Sequence, residues 1–569
     1  MLTFIAIASA TTNSTEEPDV EHYELLSNSG SLLAYSTAIS NNDFKKSKEF
    51  LSQLHIYKPD NLDIIEQLFS LSLINGDFEE AKQFALLFDD LQKVTDSEIQ
   101  EHFFLKSFLM LENLKQGKIK KAKTYIAKSN DFIYDEMSYN FTKGWIAYEE
   151  DHTLITVDSF NKVKDISILN VYYLIHQALL ADLQDRHKDA DTYYAEALQV
   201  GGMKIDVVDA YGRFLERTGR EKQAFALYND FENRSGENRL ISKARERLIS
   251  GVKPRPYVEN SKDAIGYMFY HIADMYKITG HVSKSMKYAR LAQFLLSNDE
   301  YVVQVLAQNY QIYGKYIDAN VELEKIIKSS PFYKNAQINI AQNLNRNGQE
   351  DLALATIVKL YDKNKVEDDV YLTYANLLVM DEKYNQAIDI YTSIINSRKL
   401  LTVNDADLFF ARATTYDAAD DWAKAEIDLK KTIELYPNHM QALNYLGYTW
   451  IDKGVNLEAG LKMINKALSV NRMNQDIIDS LGWAYYKLGK YKLAKVELER
   501  AAKIAPNSAD ISDHLGDVYW KLDRKLEAKF KWQQATIYKS EFIDYDDLAY
   551  KLEHGLDALH KKNSTEKVK

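Results

Sequence analysis

The amino-acid sequence predicts an all-α solenoid of repeated helix-turn-helix units, and three observations predict it. Gly and Pro number only 21 and 7 in 569 residues, too few turn-formers for an all-β chain, so helices must dominate. Small residues recur at Ser47, Ala81, Ala122, Thr156, Ala190, Ala224, Ser285, Ala319, Ala353, Ala387, Ala425, Gly460, Ala494 and Ala528, most neighbours 34 apart. A small side chain at a fixed period marks a point where two helices approach closely, once per repeat. A second small residue sits twelve positions earlier in most repeats, at Gly212, Ala273, Ala307, Ala341, Ala375, Gly482 and Gly516.

The elements follow in order. Residues 1–20 open with an apolar stretch ending Ala8-Ser9-Ala10, then turn polar and acidic. This fits either a leader with a small-x-small cleavage pattern or a frayed apolar end with no targeting role. Residues 21–250 form a first, irregular array, weakest in pattern over 96–170, where one step lengthens to 41. A 61-residue step between Ala224 and Ser285 inserts one extra helix near 239–250 and a linker at 251–263. Pro254 and Pro256 stop a helix in that linker. Residues 264–540 form a second, regular array. Pro59, Pro331, Pro437 and Pro506 fall at repeat boundaries, and Gly219, Gly280, Gly314 and Gly348 fall in the turn within a pair, where a left-handed residue is useful. A last helix near 541–560 puts Phe542, Leu548, Leu552 and Leu556 on one face and caps the stack. The charged 561–569 is expected to be a disordered tail. Fourteen helix pairs are expected in all.

Leu481-Gly482, Tyr485, Ala494, Leu498, Ala501 and Pro506 spell out a pattern that resembles the tetratricopeptide repeat (TPR) family. Leu515-Gly516, Tyr519, Ala528, Trp532 and Ala535 repeat it, and Leu306-Ala307, Tyr310, Ala319, Leu323, Ile326 and Pro331 give a third copy. The resemblance covers roughly 28–540 and implies a right-handed superhelix whose concave groove is lined by each first helix. It implies a non-enzymatic scaffold or adaptor that binds a protein or peptide. More narrowly, Asp479-Ser480-Leu481-Gly482-Trp483-Ala484-Tyr485 and His514-Leu515-Gly516-Asp517-Val518-Tyr519-Trp520 resemble long bacterial TPR proteins. Some of these act at the cell envelope as adaptors of a carboxy-terminal processing protease. With Ala8-Ser9-Ala10, that favours a periplasmic or envelope location over a cytoplasmic one. The lipoprotein cysteine of such adaptors has no counterpart in a sequence without cysteine.

In this fold the residue after the small first-helix position faces the groove. Those residues are Asp274, Gln308, Gln342, Asn376, Thr414, Tyr448, Trp483 and Asp517. Gln308, Gln342 and Asn376 lie 34 apart. A carboxamide both donates and accepts, so such a ladder would hold an extended peptide backbone; three ordinary solvated amides are the alternative. Near the C-terminal end, Trp483, Tyr486 and Trp520 lie beside Asp513 and Asp517. They read either as an apolar anchor with an acidic rim or as packing between repeats.

The balance of 71 Lys+Arg against 83 Asp+Glu, net −12, disfavours nucleic acid or an anionic membrane as the main partner and favours basic or neutral peptides. No apolar run of about 18 residues is present, so any envelope association would be peripheral. Without cysteine there is no disulfide, thiolate metal site or thiol nucleophile. No H-E-x-x-H, phosphate-binding or nucleophile-elbow motif occurs, and the repeats leave little chain for a catalytic domain. No cofactor or metal is expected. His176 and His187 are expected on the surface. The alternatives to a plain scaffold are the envelope adaptor and a regulatory subunit of an enzyme on another chain.

Overall fold

Every helix pair closes on a residue with positive φ. Asn42, Gly76, Gly117, Asp151, Asp185, Gly219, Gly280, Gly314, Gly348, Glu382, Asp420, Gly454, Gly489 and Asp523 hold these turns, with Asn456 a second such residue beside Gly454, so the period of the sequence is written into the backbone. The computed structural model describes residues 27–95, 102–127, 132–164, 166–363, 365–538, 540 and 543–566. The expected leader 1–20 and Phe542 lie outside the described residues. The described residues form 31 α-helices and no strand.

Six pairs come first: α1 (Asn28–Ser40) with α2 (Phe44–Tyr57), α3 (Leu62–Asn75) with α4 (Phe78–Thr95), α5 (Phe103–Lys115) with α6 (Ile119–Thr124), α7 (Phe132–Glu149) with α8 (Thr153–Lys164), α9 (Asn170–Leu183) with α10 (His187–Gly201), and α11 (Ile205–Arg217) with α12 (Glu221–Ser235). The extra helix is α13 (Arg239–Ser250). Then follow α14 (Ser261–Ile278) with α15 (Val282–Leu295), α16 (Glu300–Ile312) with α17 (Tyr316–Leu323), α18 (Tyr333–Arg346) with α19 (Glu350–Val358), α20 (Asp368–Met380) with α21 (Tyr384–Ser397) and α22 (Ala406–Ala418) with α23 (Trp422–Leu435). The last pairs are α24 (Met440–Asp452) with α25 (Leu457–Val470), α26 (Gln475–Lys487) with α27 (Tyr491–Ile504), and α28 (Ala509–Lys521) with α29 (Lys525–Ile537); α30 (Tyr545–His554) and α31 (Leu556–Glu566) close the chain.

The periodic small residues do what their size implies. Ser47, Ala81, Ala190, Ala224, Ser285, Ala353, Ala494 and Ala528 are all fully buried. Where the partner position is also glycine the contact is tighter still. A Cβ on Gly482 would meet Leu498 at 2.5 Å, one on Gly516 would meet Trp532 at 2.4 Å, and one on Gly447 would meet the Gly460 carbonyl at 2.8 Å.

The chain divides into two compact units, one running to Asn343 and one from Leu344 on. The first unit extends through the 251–263 linker because the chain after it folds back onto the first array. Helix α14 packs on α7, and α15 packs on α3 and α5. Composition explains this. The run Ala264-Ile265-Gly266-Tyr267-Met268-Phe269-Tyr270 has no charged or amide side chain and is wholly buried; a helix largely apolar all round needs neighbours on every side. Tyr288 of α15 packs against Phe103 and Phe104, centroids 5.8 and 5.0 Å away.

Polar locks fix the register. Arg290, 2% exposed, donates Nε to the Ile74 carbonyl at the end of α3 (2.9 Å), NH1 to Glu322 (2.7 Å) and to Gln293 (2.6 Å), and NH2 to Tyr310 (2.9 Å). His271 Nε2 pairs with Asp206 at 3.0 Å. His176 corrects the surface expectation: it is buried, stacks on Phe141 at 4.3 Å, and its Nδ1 accepts from Trp145 Nε1 at 3.0 Å. His187 is exposed, at the start of α10.

The second unit is a regular stack ending in α30, whose Leu548 joins a core with Leu515, Val518 and Trp532. After Gly555 the chain forms α31, which runs to Glu566, past the point where the charged tail is expected to lose order. Asn61, Asn238, Asn260, Asp299, Asn474, Ser508 and Asp544 cap helix N-termini by accepting from backbone N–H groups.

Candidate functional site

Consecutive first helices touch one another: α3 with α5, α14 with α16, α24 with α26, and α26 with α28. They therefore form the inner face of each stack, and the residue after each small position stands on it. In the first unit much of this face is taken. Helices α14 and α15 lie against α3, α5 and α7, so the early repeats already hold a helical occupant, which is their own chain.

Gln308 and Gln342 are exposed in the first unit and Asn376 is exposed in the second. Gln308 accepts from Lys277 Nζ, and Asn376 accepts from the Tyr391 hydroxyl at 2.7 Å. The amides next to them face inward. Asn309 donates to Ser285 at 2.8 Å, and Asn343 donates to Asn320 at 2.8 Å and accepts from Gln311 at 2.9 Å. Part of the amide richness of this region is thus spent on joining the helices.

The second unit carries an aromatic and acidic inner face. Tyr448 and Trp483 are half-buried. Trp483 lies stacked on Tyr486 at 4.7 Å and on His514 at 4.2 Å. Its Nε1 donates to Asp452 at 3.2 Å, and Lys487 pairs with the same carboxylate at 3.0 Å. His514 pairs with Asp479 at 3.0 Å. Burial opposes the charge on that imidazole, but Asp479, with Asp513 and Asp517 behind it, raises its pKa to about 9, so it is a cation at neutral pH. Burial, reinforced by Asp452, Asp479 and Asp510, pushes the Tyr448 phenol up. Asp476 is exposed, and burial with Asp479 nearby lifts its carboxyl above the ordinary value. Asp452 is thus the carboxylate in direct contact with Trp483, and Asp479 and Asp510 add to the negative field at Tyr448.

The expected acidic rim at the far end is differently used. Lys551 of α30 places its ammonium 2.8 Å from Asp513 and 2.9 Å from Asp517. Asp517 is buried and also accepts from Trp532 Nε1 at 2.9 Å. Tyr486 is 9% exposed, and Trp520 donates Nε1 to Asp557 of α31 at 2.8 Å. The structure thus gathers Trp483, Tyr486, Asp513, Asp517 and Trp520 at one end, but α30 and α31 cover all of them except Trp483. Lys551 is the residue that sequence reasoning missed. The signal was Asp513 and Asp517 at i and i+4 on one helix face, a pair that requires a cation when covered.

A family model described as TPR repeat matches residues 482–523, the same stretch whose paired glycines and closing turn were described above. Residues 482–523 thus carry a tetratricopeptide-type repeat. A TPR repeat-containing protein of Pseudomonas aeruginosa is 33% identical over 103 residues, which is 18% of this chain and 18% of that relative. A chain in the crystal structure of the APC/C hetero-tetramer Cut9–Hcn1 is covered to 97% of its length, over 93% of this chain, at 14% identity and a TM-score of 0.37. A TPR protein from Parabacteroides merdae covers 44% of this chain and 96% of its own at 14% identity and a TM-score of 0.36. Among the described residues of the TPR array, no single helix is long and apolar enough to cross a membrane.

Proposed function

We propose that this protein is a non-enzymatic interaction scaffold whose partner-binding surface is the inner face of α20, α22, α24 and α26. The observation that carries the reading is the contrast between the two inner faces. The early repeats are filled by α14 and α15, whereas Asn376, Tyr448, Trp483 and Asp476 stand half-buried or exposed in the second unit. Tyr and Trp supply large rigid contact area at low entropic cost. Asp407, with 91% of its side chain exposed, joins Asp476 in giving the face a negative character, which favours a partner segment that is apolar with basic residues. Delivery of substrates to an envelope protease remains a finer version of the same adaptor role, supported by the C-terminal motif resemblance and the Ala8-Ser9-Ala10 pattern.

The test is capture from native lysate on purified protein, with bound chains identified by mass spectrometry. Wild type is compared with Tyr448→Ala/Trp483→Ala and with Gln308→Ala/Gln342→Ala/Asn376→Ala. The aromatic double variant is expected to lose its partner by more than about thirtyfold, the scale of an interface hot spot. A partner list unchanged in both variants would remove the inner face as the binding surface.

A further inference from the structure

The chain does not leave the stack after α30. Gly555, at φ +84°, turns it back so closely over α28 that a Cβ there would meet the Trp520 indole at 2.2 Å. Helix α31 then lies on the inner face. Leu556 enters the cluster built by Tyr486, Leu515 and Trp532, with Trp483 and Trp520 packed against it. Asp557 accepts from Trp520 Nε1 at 2.8 Å and from Lys521 at 2.7 Å. Leu559 is buried as well. Burial depresses the His560 imidazole, with Lys521 adding to the effect.

Helix α31 is short. Eleven residues fall short of the roughly 12–15 needed for a helix stable by itself. Leu556, Leu559 and the Asp557 carboxylate, 61% exposed, are among the groups that hold it. Lys525 Nζ, 3.9 Å from the Trp520 ring centre, adds to the positive rim that meets the carboxylate.

We propose that Tyr486, Trp520 and Lys521 form a docking subsite for a short amphipathic helix with two leucine-like residues three apart and a carboxylate beside the first. Helix α31 is its resident occupant, and a partner segment of that chemistry takes its place. The proposal rests on the inner face being the partner-binding surface. It adds an acidic anchor at the lysine-rich end of a groove that is acidic elsewhere.

The probe is a fluorescein-labelled peptide of residues 556–566, its binding read by anisotropy. Three proteins are compared in full length: wild type, Leu556→Asp/Leu559→Asp, and the latter with Trp520→Ala/Lys521→Glu. A tethered occupant competes at an effective concentration in the millimolar range, so the peptide should bind the released double variant at least about tenfold tighter than wild type. The quadruple variant should lose that binding. Hydrogen exchange of α26–α30 in the double variant must stay as in wild type. Equal or absent binding to wild type and the double variant would overturn the proposal, as would loss of protection across α26–α30, since α31 would then be a structural cap. If the peptide fails while Tyr448→Ala/Trp483→Ala still loses a partner, only this inference falls. If the peptide binds and no partner depends on Tyr448 or Trp483, the broader reading fails instead.

Discussion

Replacing Arg290 by Met tests how the first unit holds its own helices. The guanidinium is 2% exposed and faces a Glu322 that is 3% exposed. It makes four hydrogen bonds, one of them to the Ile74 carbonyl. Methionine fills the aliphatic space but strands the Glu322 carboxylate. Breaking a buried pair costs about 3–5 kcal/mol. Lys325, 2.6 Å from Glu322, keeps part of the compensation, which places the cost near the lower figure. Loss of the bond to Ile74 adds about 1 kcal/mol. The expected total of about 3–4 kcal/mol corresponds to a few-hundredfold rise in local opening. Hydrogen exchange by mass spectrometry over 62–75 and 282–295 reads it directly. Replacing both partners, Arg290→Met/Glu322→Leu, should recover all but about 1 kcal/mol, because an apolar pair of similar volume is close to neutral. A change within about 0.5 kcal/mol for the single variant, or a double variant as damaged as the single, would refute the claim that the buried Arg290–Glu322 pair fastens α15 to α17 while Arg290 ties α15 to α3.

Acid should loosen the first unit. Burial, with His271 second, holds the His176 imidazole well below its ordinary 6.5; the unfolded chain takes up that proton and the folded one does not, so this stability is complete above pH 6.5 and declines as pH falls below it, a loss that melts at pH 7.5 and 5 should show and His176→Gln should blunt. His514 has the opposite sign: with its pKa raised to about 9, its contribution is present below 6.5 and lost as pH rises through about 9, which an imidazole proton titration by NMR would reveal as a late midpoint. Glu382 holds a φ of 54° that costs a residue with a Cβ about 1–2 kcal/mol, so Glu382→Gly should stabilise the second unit by about 0.5–1 kcal/mol after the added chain entropy, seen as a raised melting temperature. Gly460→Ala would drive a Cβ to 2.7 Å from the Gly447 carbonyl and should cost about 1–3 kcal/mol, read as faster exchange in α24 and α25.

The repeats were legible because close helix approach admits only small residues, whatever else surrounds them. The positions from Ser47 to Ala528 therefore announced themselves without any knowledge of neighbours. The fold-back was not read, because a residue on an inner face looks alike in sequence whether it meets solvent or another helix. Its trace was present all the same: seven consecutive residues, Ala264 to Tyr270, include no charged or amide side chain, which a one-sided helix would not need. His176 was misplaced for a related reason, since its acceptor bond from Trp145 is made across 31 residues and no local pattern encodes it. The groove chemistry was half legible. Trp483 and Tyr448 stand on the inner face as their register implies, while the acids at Asp513 and Asp517 answer to Lys551, a residue supplied by the helix read only as a cap.

The self-filled inner face of the first unit has a consequence for biosynthesis. A nascent chain emerges N-terminus first, so α3, α5 and α7 form before α14 and α15 exist to cover them. At about 5–20 residues per second, the segment from the end of α7 to the end of α15 takes on the order of ten seconds to make. During that interval Phe108, Phe103 and Leu109, all buried in the finished protein, line an open apolar trough at the ribosome. A message cut short before residue 261 would leave the trough permanently open and prone to aggregate.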